Sequence, residues 1–128
     1  MRAKYLVLPL IAVLAAGCAG TGPAPGSLDD RLRETGVASY YAKKFEGRRT
    51  ASGARYDGDR LTAAHRTLPF GTKIRVTNLA NDASVVVTVN DRGPFRKNRV
   101  VDVSRRAART LGFLADGTAQ VAIEVVDD

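Results

Sequence analysis

Asp91 and His65 are the side chains in this sequence best suited to moving protons, and each is flanked by residues that fix backbone geometry. Asp91 belongs to Asn90-Asp91-Arg92-Gly93-Pro94, a tight charged loop set between the apolar runs of residues 85–104. A strand holds it rigid on one side and a Pro-fixed turn on the other. His65, the chain's only histidine, ends Thr62-Ala63-Ala64-His65 and precedes Leu68-Pro69-Phe70-Gly71-Thr72. One positioned carboxyl and one imidazole on a small β-rich scaffold suit acid–base work on a neutral or sugar-like substrate. The same residues admit a structural reading, in which Asp91 accepts backbone N–H bonds in an Asx-type turn and His65 is a packed, hydrogen-bonded ring.

The elements that must position these groups are short. Residues 37–41 have strand character, and 61–64 form a short strand leading into His65. Residues 73–78 (KIRVTN) alternate apolar and polar, and 84–90 supply the second arm of a hairpin. In that arm Val85, Val87 and Val89 share one face, and Val86, Thr88 and Asn90 the other. Residues 100–103 make another strand. Ser104 is a good N-cap for a helix to about Leu111, which puts Ala107, Ala108 and Leu111 on one face and Arg105, Arg106 and Arg109 on the opposite one. Gly112 stops that helix, and a Val/Ile-rich strand over 118–126 closes the domain. About six strands and one short helix predict a mainly β fold, a small barrel. Residues 42–60 read as a long polar loop with too few apolar residues to bury itself.

The chain's length, 128 residues, fits one domain. Arg2 and Lys4 form a basic n-region, and the apolar run over 5–16 is too short for a lasting membrane span. It ends in Leu14-Ala15-Ala16-Gly17-Cys18, which resembles the lipobox of a bacterial lipoprotein. The expected organisation is therefore a signal peptide over 1–17, a lipidated Cys18 with a flexible tether over 18–35, and a globular domain over 36–128. A capping-box-like spacing of Ser27 and Asp30 would allow a helical turn over 28–35. A flexible tether of that length spans about 20–25 Å, so the domain would stay near its membrane. A net charge of +7 ordinarily raises nucleic acid as a partner. Export removes that partner and leaves anionic headgroups and cell-wall carboxylates. One His and one lipid-bearing Cys cannot build a conventional zinc site, so neither metal nor cofactor is expected. Ser39, Ser52, Ser84 and Ser104 have no histidine placed for a triad.

Several motifs together carry a family resemblance. Gly36-Val37-Ala38-Ser39-Tyr40-Tyr41, Thr50-Ala51-Ser52-Gly53, Thr62-Ala63-Ala64-His65, Leu68-Pro69-Phe70-Gly71-Thr72, Asn90-Asp91-Arg92-Gly93-Pro94-Phe95 and Val100-Val101-Asp102-Val103-Ser104 occur in one order. From about residue 36 to 126 the sequence resembles the rare lipoprotein A (RlpA) family. The resemblance implies a six-stranded double-psi β-barrel, related to that of expansins, and lytic transglycosylase activity on peptidoglycan strands stripped of stem peptides. It implies a lipid-anchored envelope protein facing the periplasm or cell wall, with cell-division proteins among its partners. His65 and Asp91 match the family's functional positions. The family often has Glu directly after the Thr-Ala-Ser/Asn-Gly turn, where this chain has Ala54. That departure keeps a second reading open: a non-catalytic, expansin-like peptidoglycan-binding module.

In the lytic reaction an acid protonates the glycosidic oxygen and the muramyl C6 hydroxyl attacks the anomeric carbon, so one carboxyl can act as acid and then base. Asp91 is the candidate for both roles, with Val89 and Phe95 as the neighbours that would exclude water from it and Arg92 as an opposing cation. His65 would orient substrate or Asp91. Tyr40, Arg48, Thr50, Asn90 and Arg92 are the candidate substrate-binding residues. Tyr40 and Tyr41 face opposite ways on a strand, one packing and one free to stack on a sugar. Arg48 and Arg49 are placed to meet the lactyl carboxylate of a stripped muramyl sugar. Asp102, with Ser104, reads as a structural link to the helix N-terminus.

Overall fold

The computed structural model describes residues 33–126. The expected signal peptide, Cys18 and the expected tether up to residue 32 lie outside the described residues. β1 (Arg33–Tyr40), β2 (Thr62–Ala64), β3 (Lys73–Asn78), β4 (Ser84–Asp91), β5 (Arg99–Val103) and β6 (Ala119–Val125) close into a barrel in the order β1-β5-β2-β4-β3-β6. The pairs β1–β5 and β2–β4 are parallel, and the remaining neighbours are antiparallel. This is the double-psi β-barrel.

Alternation along the strands sets the core. Ile74, Val76, Val87, Val89, Val101, Val103 and Val121 are fully buried inside the barrel. Helix α1 (Arg105–Leu111) packs Ala107, Ala108 and Leu111 against it, leaving its arginines outside. Ser104 caps α1 by accepting from Ala107 N at 3.2 Å, and Gly112 ends it at φ 80°.

Two expectations need correction. β1 begins at Arg33, ahead of the strand expected from residue 37 and the domain expected from residue 36, so residues 33–35 are strand and neither tether nor helical turn. Their side chains are exposed and polar, which hides strand character in the sequence, but their backbones pair with Ala122, Ile123 and Glu124 of β6. The 42–60 segment is also better anchored than its composition implies. A short 3₁₀ turn (Lys43–Phe45) opens it, and Tyr56 is 3% exposed, stacked on Tyr41 at 4.3 Å between ring centres. One large aromatic supplies the burial that several small apolar residues would otherwise provide.

Both parallel pairings carry an irregularity, and both shape the site. Between β2 and β4 the register passes from Ala63↔Val89 to Ala64↔Asp91, skipping Asn90. Between β1 and β5 it passes from Val37↔Arg99 to Ala38↔Val101, skipping Val100. Bulges of this kind turn later side chains to a new direction. The second one depends on Gly36, where a Cβ would meet Val100 Cγ1 at 2.5 Å.

Candidate active site

The bulge at Asn90 brings Asp91 opposite Ala64, and Ala64 is also opposite Asp102 on its other side. Asp102 in turn stands opposite Ser39 of β1. Four neighbouring strands thus line up Asp91, Ala64, Asp102 and Ser39 in one row. Val101 and Val103 point into the core, so Asp102 belongs to the outer wall. Strand spacing puts the two aspartate Cα atoms roughly 10 Å apart, on either side of Ala64.

The two carboxyls differ in their partners. Asp91 Oδ2 accepts from Tyr41 Oη at 2.5 Å, and Oδ1 accepts from Ala51 N at 2.8 Å and Arg92 N at 2.9 Å. Three donors converge on it, the pattern of an ionised carboxylate. Burial and the bond to Asp91 push the Tyr41 phenol far above its ordinary range, so it stays an O–H donor. Asp102 accepts one short bond from Ser39 Oγ on Oδ1. Among the described residues its Oδ2 has no hydrogen-bond partner. Burial pushes the Asp102 carboxyl above the ordinary carboxylate range, and the Asp91 charge pushes the same way. The Ser39 bond and the Arg99 and Arg96 guanidinium groups offset this only in part.

The other expected site residues fall in several places. His65 is 6% exposed, and both ring nitrogens are occupied. Nδ1 accepts from Thr67 N and Leu68 N, each at 3.2 Å, so the proton belongs on Nε2, which donates to Glu34 Oε1 at 2.9 Å. The imidazole therefore braces β1 against the end of β2. Its residue meets Asp91 only through the backbone, His65 N donating to Asp91 O at 3.1 Å. This corrects the expectation that the ring orients Asp91.

Arg92 does not oppose Asp91 in the expected way. Its guanidinium lies 4.1 Å over the Phe70 ring, and Nη1 donates to His65 O at 3.2 Å. Nor does Phe95 shield Asp91, being 82% exposed, while Val89 is turned into the core. Tyr40 packs on Phe113 edge-on and donates to Leu114 O at 2.7 Å, so Tyr41 is the tyrosine that reaches the site. Thr50 is spent on its own turn, with N and Oγ1 both donating to Ala54 O at 2.7 Å. Arg48 stands over Phe45, whose ring meets Tyr41 edge-on. Asn90 and Ala54 line an open groove of about 490 Å³ with Tyr56, Asp57 and Arg60. Neither aspartate of the row lines that groove, which adjoins the row at Asn90.

Asp102 and Ser39 were not legible as site residues. The available signal was a lone carboxylate inside the apolar run Val100-Val101-Asp102-Val103. Its expected link to the helix is absent, since Ser104 caps α1 by itself while Asp102 turns to Ser39. Among the described residues no three of His, Cys, Asp and Glu converge to hold a metal ion.

A family model described as lytic transglycolase matches residues 33–123. The chain belongs to this family. Within it the resemblance to RlpA holds. The chain is 56% identical over 91 residues to a probable endolytic peptidoglycan transglycosylase RlpA of Synechocystis sp., covering 71% of this chain and 28% of that protein. It is 50% identical over 108 residues to the endolytic peptidoglycan transglycosylase RlpA of Neisseria meningitidis serogroup B, covering 84% of this chain and 45% of that one. The chain thus spans less than half the length of these curated relatives. Among solved structures, an expansin of Clavibacter michiganensis superposes with a TM-score of 0.60 at 23% identity, covering 76% of this chain and 52% of that one. That likeness is one of fold, and this RlpA-type barrel shares it.

Proposed function

We propose that this RlpA-type protein is a peptidoglycan lytic transglycosylase that cleaves bonds between N-acetylmuramic acid and N-acetylglucosamine and leaves 1,6-anhydro ends. The observation that carries this reading is the pair of carboxyls flanking Ala64, with opposite hydrogen-bonding states. Asp102, whose carboxyl burial pushes above the ordinary carboxylate range and whose Oδ2 is free, is the group that donates to the departing glycosidic oxygen. As the bond from the anomeric carbon to that oxygen breaks, the muramyl C6 oxygen bonds to the anomeric carbon. Its proton passes to the Asp102 carboxylate, which restores the acid. Asp91, fixed by its three donors, supplies the negative charge that stabilises the positive anomeric carbon. The proton role expected of Asp91 thus moves to Asp102. Because no water takes part as nucleophile, a second base is not required, in contrast with ordinary glycosidases. Incubating the purified protein with stem-stripped glycan and chromatographing the products tests the reading. Anhydro-ended fragments support it, and reducing ends or intact strands oppose it.

The non-catalytic reading keeps one specific support, the methyl of Ala54 where the family resemblance places a carboxylate. Ala54 is exposed on the rim of the groove beside Asn90. Ala54→Glu is expected to raise cleavage of stem-stripped glycan at a stability cost within about 0.5 kcal/mol. Glycan binding without cleavage in both forms would favour the binding module.

The protein is proposed to be a lipoprotein of the bacterial envelope, held at its membrane through Cys18 and facing the periplasm or wall, where cell-division proteins are candidate partners. The support is the lipobox-like Leu14-Ala15-Ala16-Gly17-Cys18 after a basic and then apolar start. Cys18→Ser is expected to move the protein from the membrane fraction to the soluble fraction. Continued sedimentation with membranes would defeat the lipid-anchor reading.

A further inference from the structure

The segment that follows Asp91 has features the chemistry above does not use. Phe95 is 82% exposed, by far the most exposed large apolar side chain among the described residues. An exposed phenylalanine on a mobile loop would mean little, but this loop is tied down. Arg66 donates from Nε to Pro94 O at 2.7 Å, and from Nη2 to Arg96 O at 2.7 Å and Arg99 O at 2.6 Å. One guanidinium thus satisfies three carbonyls of residues 94–99 and fixes the path on which Phe95 is displayed. The ring also leans back on the chain, since a Cβ at Gly93 would stand 3.5 Å from Phe95 Cε2. The ordering entropy that weakens binding by a free aromatic is therefore already spent on folding.

The charge around the ring has one sign. Residues 92–99 contain Arg92, Arg96, Lys97 and Arg99 and no carboxylate. Arg92 is occupied by Phe70 and Arg99 belongs to β5. Among the described residues, the Arg96 and Lys97 side chains form no hydrogen bond or ion pair. Yet this charge leads straight into the carboxyl row, because Arg99 opens β5 three residues before Asp102. An aromatic face followed directly by two unpaired cations, near the proposed glycan-cleaving pair, matches a sugar that itself carries a carboxylate.

We propose that residues 94–99 form a preformed subsite for a peptide-free muramyl residue, with Phe95 against the sugar face and Arg96 and Lys97 on the lactyl carboxylate. The inference rests on the proposed function and names the part of the protein that selects stripped strands. An anionic lipid surface would also attract these cations. Glycan is favoured because a loop this close to Asp102, once docked on headgroups, would press the carboxyl row against the bilayer, and because Phe95 is a single ring and not an apolar face.

The test uses the full chain carrying Cys18→Ser, so that no lipid enters the measurement. Binding is compared on stem-stripped glycan, on an N-acetylglucosamine oligomer without lactyl groups, and on vesicles of phosphatidylglycerol and phosphatidylethanolamine. Phe95→Ala is expected to weaken binding to stripped glycan about three- to tenfold, with Phe95→Trp restoring it and the thermal midpoint unchanged. Arg96→Gln with Lys97→Gln is expected to abolish the preference for stripped glycan over the neutral oligomer and to flatten the salt dependence. Arg66→Gln, which touches no sugar, is expected to weaken glycan binding through loss of loop order. Unchanged glycan binding by Phe95→Ala, or a loss confined to vesicles, overturns the subsite. A parent protein that neither holds nor cleaves glycan overturns the proposed function as well, a result distinct from a parent that binds and a Phe95 that does not matter.

Discussion

Asp102→Asn is expected to reduce glycan cleavage by about 10²–10⁴-fold, the range associated with losing a general acid, while the barrel stays folded. Asn keeps the shape and an oxygen to accept from Ser39 Oγ, so the β1–β5 contact survives. What disappears is the carboxyl proton that burial makes harder to lose. The linkage gives a second readout. A carboxyl whose pKa is raised in the folded state costs nothing below the ordinary carboxylate range, where it is protonated folded and unfolded alike. As pH climbs from that range through the raised value, the unfolded chain ionises first and stability is lost. Asp102→Asn removes this loss, so the variant should be inactive yet show a flatter dependence of stability on pH above the ordinary carboxylate range. Retained cleavage, or a collapsed thermal transition at every pH, would place Asp102 among the structural residues. Parent activity should also fall on the alkaline side as Asp102 ionises.

Asp91→Asn is expected to lower cleavage by about 10²-fold or more through loss of the fixed negative charge. The fold should persist. Asn Oδ1 can still accept from Ala51 N and Arg92 N, and Nδ2 can donate to Tyr41 Oη once that hydroxyl turns. Exchanging a charge-assisted bond for a neutral one costs on the order of 1 kcal/mol. The two variants separate by pH profile. Because the Asp91 charge helps raise Asp102, its removal should shift the alkaline limb of the residual activity to lower pH. A purely structural Asp91 would change stability without moving that limb.

The division between sequence and structure follows the range of the interactions. Alternation and turn residues predicted the β3–β4 hairpin, the β5 strand and the Ser104–Gly112 boundaries of α1, because each depends on neighbours within a few positions. Collinear motifs carried the family, and with it the closed barrel. The charged start of β1 was illegible, since Arg33, Glu34 and Thr35 are strand only because β6 lies beside them. Of the proposed catalytic pair, Asp91 was visible as a carboxylate at a Gly-Pro turn. Asp102 was not, because its environment comes from Ser39 and Ala64 on two other strands.

Sequence by itself therefore determined the local elements, the type of barrel and the presence of a positioned Asp91. Tertiary structure decided which residues come together in the candidate site. One skipped residue at Asn90 rotates Asp91 into the row of Ala64 and Asp102, and a register shift of that size reverses the face of every later side chain. It also decided that the His65 ring braces Glu34, that Arg92 lies on Phe70, and that Tyr41 and not Tyr40 holds the carboxylate. Those outcomes depend on contacts between residues far apart in the chain, and no local pattern of apolar and polar residues encodes them.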